Sequence, residues 1–173
     1  GDVMVPEGTA VAKDIGNNAF FQKLDVSDDK NWKDFVLGVI SKFGTIDVLI
    51  NNAGLVHFTP IEHFNSDDAE KILGVNTVGP MLGAKHVTPF MKAAQKGSIV
   101  NIGSASAMAG QPFIAPYCAS KGALATLTRN SGYALMRNNI RVNQLNIGWM
   151  ASDGEDRIQR EYHGAEDNWL DAA

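Results

Sequence analysis

Ser104-Ala-Ser-Ala-Met-Ala-Gly-Gln-Pro-Phe-Ile-Ala-Pro-Tyr117-Cys-Ala-Ser-Lys121 is the stretch on which the reading of this chain turns. Before it stands an apolar run, Ser98-Ile-Val-Asn-Ile, that reads as a buried strand. After it stands Gly122-Ala-Leu-Ala-Thr-Leu, which reads as a helix. Tyr117 and Lys121 are four positions apart, so on a helix they share one face and reach each other. A phenol is a poor base at neutral pH, with a reference pKa of about 10. An ammonium one turn away favours the phenolate by charge attraction, and proton-transfer catalysts work best when poised near the operating pH. A serine hydroxyl beside that pair can hold a carbonyl or alcohol oxygen.

Working outward, strands and helices alternate. The expected helices cover 7–15, ended by Gly16-Asn-Asn, then 28–43 with Ser27 as N-cap and Gly44 as stop. A long helix opens at Ser66 or Asp67 and runs through Lys85, and another covers 117–137. The expected strands are 19–24, 46–51, 98–104 and 140–146. The run 46–51 is apolar without alternation, the pattern of a sheet covered on both faces. The remainder, 148–173, is polar and partly helical. There are no internal repeats. Alternating units of this kind predict an α/β fold with a doubly wound parallel sheet, and ligands of such sheets bind beyond the strands' carboxyl ends. Asp25, Asn51, Ser104 and Asn146 each close or follow an expected strand.

Composition narrows the classes. A chain of 173 residues, 45% hydrophobic and 20% charged, suits one globular domain over 1–173. A net charge of −4 with no basic patch argues against nucleic acid. No apolar run approaches the ~20 residues that span a membrane, so no membrane partner is expected. The single cysteine, Cys118, excludes an internal disulfide, fits a reducing, cytoplasmic setting, and reads as helix packing. Asp47, Glu62 and His63 lack metal-site spacing, so no metal is expected.

Three further features accompany the first stretch. Asn51-Asn52-Ala53-Gly54 directly follows an apolar run, Val75-Asn76 lies inside a helical stretch, and Asn146-Ile147-Gly148-Trp149-Met150-Ala151-Ser152 follows the last strand. Together, and in this order, they resemble the short-chain dehydrogenase/reductase family, in its classical-type branch, over essentially the whole chain. The resemblance implies a Rossmann-like, three-layer α/β/α domain that interconverts a secondary alcohol and a ketone with NAD, or alternatively NADP. Tyr117 would be the acid/base. Lys121 would assist it and hold the nicotinamide ribose, and Ser104 would orient the substrate oxygen. Asn76 would kink its helix and anchor a water linking Lys121 to solvent. Asp25-Val26 resembles the pair flanking the adenine, though it also reads as a plain helix start. Asn51, Ala53 and Gly54 resemble the cofactor-contacting turn, where the small residues let backbone approach the ribose.

The segment 147–152 departs from the family pattern. Ile147 stands for the usual proline and Ser152 for the usual threonine, and Gly148 and Met150 complete the contacts to the nicotinamide end. His57, Gln111, Phe113 and Trp149, with Met108, line the expected substrate pocket, and they read equally as loop packing.

The family's opening glycine-rich turn is not found. The segment from Asp2 resembles the one just after the family's second strand, and the final helix and strand are also not found. The expectation is an incomplete domain. Asp2 would grip the adenosine 2′- and 3′-hydroxyls, favouring NAD, or would be a frayed end. An isolated segment is expected to bind cofactor or fold poorly. A truncated, non-catalytic scaffold is the alternative function, and an extended-branch dehydratase or epimerase is a weaker one. The resemblance further implies a homodimer or homotetramer.

Overall fold

In the computed structural model, which describes residues 1–148, 150, 152–166 and 169, three strands pair in parallel. They are β1 (Val48–Asn51), β2 (Gly97–Ser104) and β3 (Ile140–Ile147), in the order β1-β2-β3. The register sets Asn51 against Asn101 and Asn101 against Gln144, and it brings Ser104 beside Ile147 at the carboxyl edge. The helices are α1 (Val5–Ile15), α2 (Asp29–Phe43), α3 (Ser66–Leu73), α4 (Gly79–Ala94), α5 (Ala115–Leu135) and α6 (Asp153–His163). The crossovers between successive parallel strands are helical, as expected of an α/β chain.

Local chemistry explains the boundaries. Pro6 and Pro116 sit in the first turns of α1 and α5, where a missing N–H costs nothing, and both helices begin two residues earlier than expected. Gly44, at φ 78°, ends α2 as anticipated. The N-cap of α2 is Asp28, whose carboxylate accepts from Asn31 N–H at 2.7 Å. Ser27 is instead turned back, donating through both its main-chain N–H and its hydroxyl to Asp25 Oδ1. Asn65 caps α3 by accepting from Asp68 N–H. The long helix begins at Ser66, as one of the two expected openings had it, but it is not continuous. A π-helical turn, Gly74–Val78, separates α3 from α4.

One expected strand does not form among the described residues. Residues 19–24 make only a single parallel bridge, Asp2 with Lys23, through Leu24 N–H donating to Asp2 O at 3.0 Å. A strand is a ladder, and this segment has one rung. The expected two-sided burial of 46–51 also differs. In β1, Leu49 and Asn51 are buried, whereas Val48 and Ile50 are 55% and 60% exposed. The buried face meets α2, α4 and α5, around Trp32, Val36, Leu49, Val87, Met91, Ile99 and Leu135.

Two glycines allow that packing. A Cβ on Gly83 would stand 2.9 Å from both the Trp32 ring and Asn51 Oδ1, and one on Gly79 would stand 2.9 Å from Val26 Cγ2. These glycines bring α4 down onto the loop that precedes α2, where Trp32 donates its indole N–H to Val26 O at 2.9 Å. Gly132 in α5 differs, since a Cβ there would meet nothing closer than Val142 O at 3.5 Å. The two positions therefore predict opposite signs. Gly83→Ala should lower stability by about 1–3 kcal/mol through overpacking. Gly132→Ala should be neutral or raise it by up to about 1 kcal/mol through helix propensity. Urea midpoints of the two variants check this.

Candidate active site

The carboxyl edge of the sheet gathers the residues singled out above. Ser104 closes β2, is 7% exposed, and accepts through its Oγ from Ser106 N–H at 3.1 Å. A hydroxyl that accepts in this way still has its own proton to give. Tyr117 lies in the first turn of α5, which starts at Ala115 with Pro116 presetting the helical φ. Lys121, one turn on, is 4% exposed. Its Nζ donates to Ile102 O in β2 at 2.8 Å and lies 5.6 Å from the Tyr117 ring centroid. Burial pulls the lysine pKa below its ordinary value.

Asn76 sits in the π-helical turn, almost wholly buried. Its Oδ1 accepts from Leu55 N–H at 2.7 Å, and its two amide protons go to Leu55 O at 2.8 Å and Ser120 Oγ at 2.9 Å. The side chain thus clamps the turn that follows β1 to α5. Ala53 and Gly54 of that turn are exposed. A Cβ on Gly54 would be 3.8 Å from both Asn76 Oδ1 and Lys121 Nζ, so those two groups converge over the glycine. Asn51 points the other way. It is buried, and its amide donates to Asn101 Oδ1 at 2.8 Å, so its side chain holds the sheet while the turn after it faces outward.

The remaining expected residues divide into two groups. Asp2, Val26, Asn51 and Ala53 share the lining of one groove of about 360 Å³ along the open edge of β1. Asp2 also accepts from Met4 N–H, and Asp25 is occupied by Ser27. Ile147 closes β3, and Gly148, Met150 and Ser152 follow it, with Ser152 capping α6 by accepting from Glu155 N–H. Of the residues expected to line a substrate pocket, Gln111 accepts through Oε1 from the Ser106 hydroxyl at 3.1 Å. Phe113 is 55% exposed with a left-handed φ of 66°, and its carbonyl accepts from Thr59 N–H. That bond joins the segment carrying His57 to the segment before Tyr117. His57 itself is turned to the first turn of α3, with Nδ1 3.4 Å from Asp68 Oδ1. Trp149, expected in the same pocket, lies outside the described residues.

Several residues were not anticipated. Asn101 donates to Thr128 Oγ1 at 2.8 Å, and the one Thr128 hydroxyl proton faces both Leu124 O at 2.8 Å and Gln144 Oε1 at 3.1 Å. Gln144 in turn donates to Asn146. A chain of amides linked by one hydroxyl therefore crosses all three strands, buried from Asn51 to Thr128 and reaching the surface at Asn146. An asparagine inside an otherwise apolar strand, Asn101, was its one visible signal. Ser120 and Thr77 were also missed, and they tie α5 to the π-helical turn.

Comparison with known proteins fits this geometry. The family model for short chain dehydrogenase matches residues 2–163. The 3-alpha-(or 20-beta)-hydroxysteroid dehydrogenase of Mycobacterium tuberculosis is 34% identical over 161 residues, covering 93% of this chain and 62% of that protein. Among solved structures, an NAD+-bound xylitol dehydrogenase superposes with a TM-score of 0.87 at 30% identity, covering 94% of this chain and 64% of that one. A gluconate 5-dehydrogenase from Burkholderia cenocepacia, in complex with NADP and tartrate, gives 0.86 at 26% identity, covering 98% and 67%. This chain belongs to the short-chain dehydrogenase family and has its Rossmann fold. It spans about three fifths of the length of the curated relatives it matches.

The amide chain makes a prediction of its own. Thr128→Val leaves the Asn101 amide without its acceptor and should cost about 1–3 kcal/mol, as an unsatisfied buried donor does. Thr128→Ser, which keeps the hydroxyl, should recover most of that loss in urea unfolding.

Proposed function

We propose that this member of the short-chain dehydrogenase family interconverts a secondary alcohol and a ketone with a nicotinamide cofactor, with Tyr117 as acid/base. The observation that carries the reading is the buried Lys121 ammonium, 5.6 Å from the Tyr117 ring and donating to Ile102 O, two residues before Ser104 on β2.

In the oxidative direction the Tyr117 oxygen takes the proton of the substrate hydroxyl. Ser104 donates to that same oxygen and orients its carbon. In the reductive direction the tyrosine returns the proton. Lys121 favours the anionic form of the tyrosine by charge. Only one of its three protons is committed to Ile102 O, which leaves donors for a ribose hydroxyl. Asn76 and Lys121 converge over Gly54, which supports a proton path from the lysine past Asn76 to solvent. Asn76 Oδ1 accepts from Leu55 N–H, and its second lone pair can take a water.

The chain's residues suit a dinucleotide. The exposed Ala53-Gly54 turn lets backbone come close to a ribose, and Asp2 and Val26 share the adjoining groove. Ile147, Gly148, Met150 and Ser152 would face the nicotinamide end, which supplies or accepts the hydride when bound. Asp2 supports NAD over NADP, because a carboxylate repels a 2′-phosphate.

The whole protein, tested with cyclopentanol, xylitol and a 3α-hydroxysteroid, is expected to turn over at least one of them and to use NAD in preference to NADP. Tyr117→Phe should lower kcat by about 10²–10⁴ while leaving NADH binding, read by fluorescence, within about twofold, because the ring is kept and only the reacting hydroxyl is removed. Full turnover by Tyr117→Phe would falsify the acid/base assignment.

A further inference from the structure

Resting on the acid/base role of Tyr117, we infer that Ser120 is a positioning residue that sets Tyr117 and Asn76 relative to each other. It lies between Tyr117 and Lys121 in the sequence and is 0% exposed. A serine hydroxyl has one proton, and here it goes to Tyr117 O at 2.7 Å. Its oxygen lone pair receives the Asn76 amide proton at 2.9 Å. The direction of each bond is forced. The Tyr117 carbonyl can only accept, so the hydroxyl donates there. Leu55 N–H can only donate, so Asn76 must turn its oxygen to it and its amide protons to Leu55 O and Ser120.

The resulting chain runs without a break from the turn after Gly54, through Asn76 and Ser120, to the main chain of Tyr117. It ties the relay asparagine directly to the catalytic helix turn. Thr77 makes a neighbouring contact of another kind. Its hydroxyl donates to the Ser120 main-chain O at 3.1 Å, fastening the π-helical turn to α5 by a bond that ends on neither the Asn76 side chain nor Tyr117. The pair thus separates positioning from simple attachment.

Ser120→Ala suits the helix, since alanine is the best helix former. It strands one buried amide proton of Asn76 and removes the side-chain donor to the Tyr117 carbonyl, leaving that carbonyl only its helical partner. Asn76 then re-aims, and its hold on Leu55 and its place opposite Lys121 change together. Small misplacements of this kind cost turnover more than binding.

The test uses the whole protein with NAD and cyclopentanol, or whichever of the other two alcohols named above it oxidises fastest. Ser120→Ala should lower kcat by about 10-fold or more, with KM for alcohol and NAD within about twofold. The solvent deuterium isotope effect on kcat should rise as proton transfer becomes limiting. Ser120→Thr, which keeps the oxygen, should restore turnover. Thr77→Val should lose thermal stability yet keep kcat. The inference is overturned if Ser120→Ala keeps the wild-type kcat and isotope effect, or if Ser120→Ala and Thr77→Val change kinetics alike. If Ser120→Thr does not fold, the contrast between the other two variants still decides. Tyr117→Phe is measured alongside. Turnover surviving in that variant, or absent from the wild type with all three alcohols, overturns the acid/base reading and this one with it. Normal Ser120→Ala kinetics in an enzyme that needs Tyr117 overturns only the role of Ser120.

Discussion

The burial of one ammonium group organises this molecule. Lys121 is 4% exposed, and a charge taken out of water must find fixed dipoles or be driven toward neutrality. It meets the Ile102 carbonyl and the face of the Tyr117 ring rather than a carboxylate. A carboxylate would neutralise the lysine and hold it. A carbonyl and a ring leave most of its charge and two of its protons available. That arrangement is costly for stability, since the charge is only partly compensated.

The supporting structure follows from keeping Lys121 there. Ile102 belongs to β2, so α5 must lie along that strand, and the parallel pairing with β1 and β3 fixes what stands on either side. On one side the turn after β1 is held by the Asn76 clamp, and on the other Ile147 comes level with Ser104. The amide chain from Asn51 through Asn101 and Thr128 to Gln144 keeps these strand ends in register from within. The π-helical turn is part of the same design. An extra residue in the turn swings Asn76 inward, and such turns are found disproportionately at functional sites.

Much of this was legible in the chain. Tyr117 and Lys121 could be paired by helical spacing, Ser104 placed by the apolar run before it, and Gly44 by its position after the last periodic residue of α2. These are local rules, and local rules survive folding when neighbouring residues supply the geometry. The departures were of one type. Residues 19–24 have strand composition, yet a strand exists only through a partner. Ser27 has capping chemistry, yet Asp28 stood nearer to the free N–H groups and Asp25 took the serine. His57 was set toward a pocket by its neighbours in sequence, whereas Asp68 draws it to the start of α3.

What the sequence alone determined is the α/β class and the helical pairing of Tyr117 with Lys121, because spacing, apolar runs and punctuating glycines act over a few residues. Only the tertiary structure decided how those groups are aimed. Asn76 finds Ser120, 44 positions away, and Asn51 finds Asn101, 50 positions away. A hydrogen bond depends on atoms brought within about 3 Å. No pattern along a chain records that approach until helices and strands have packed.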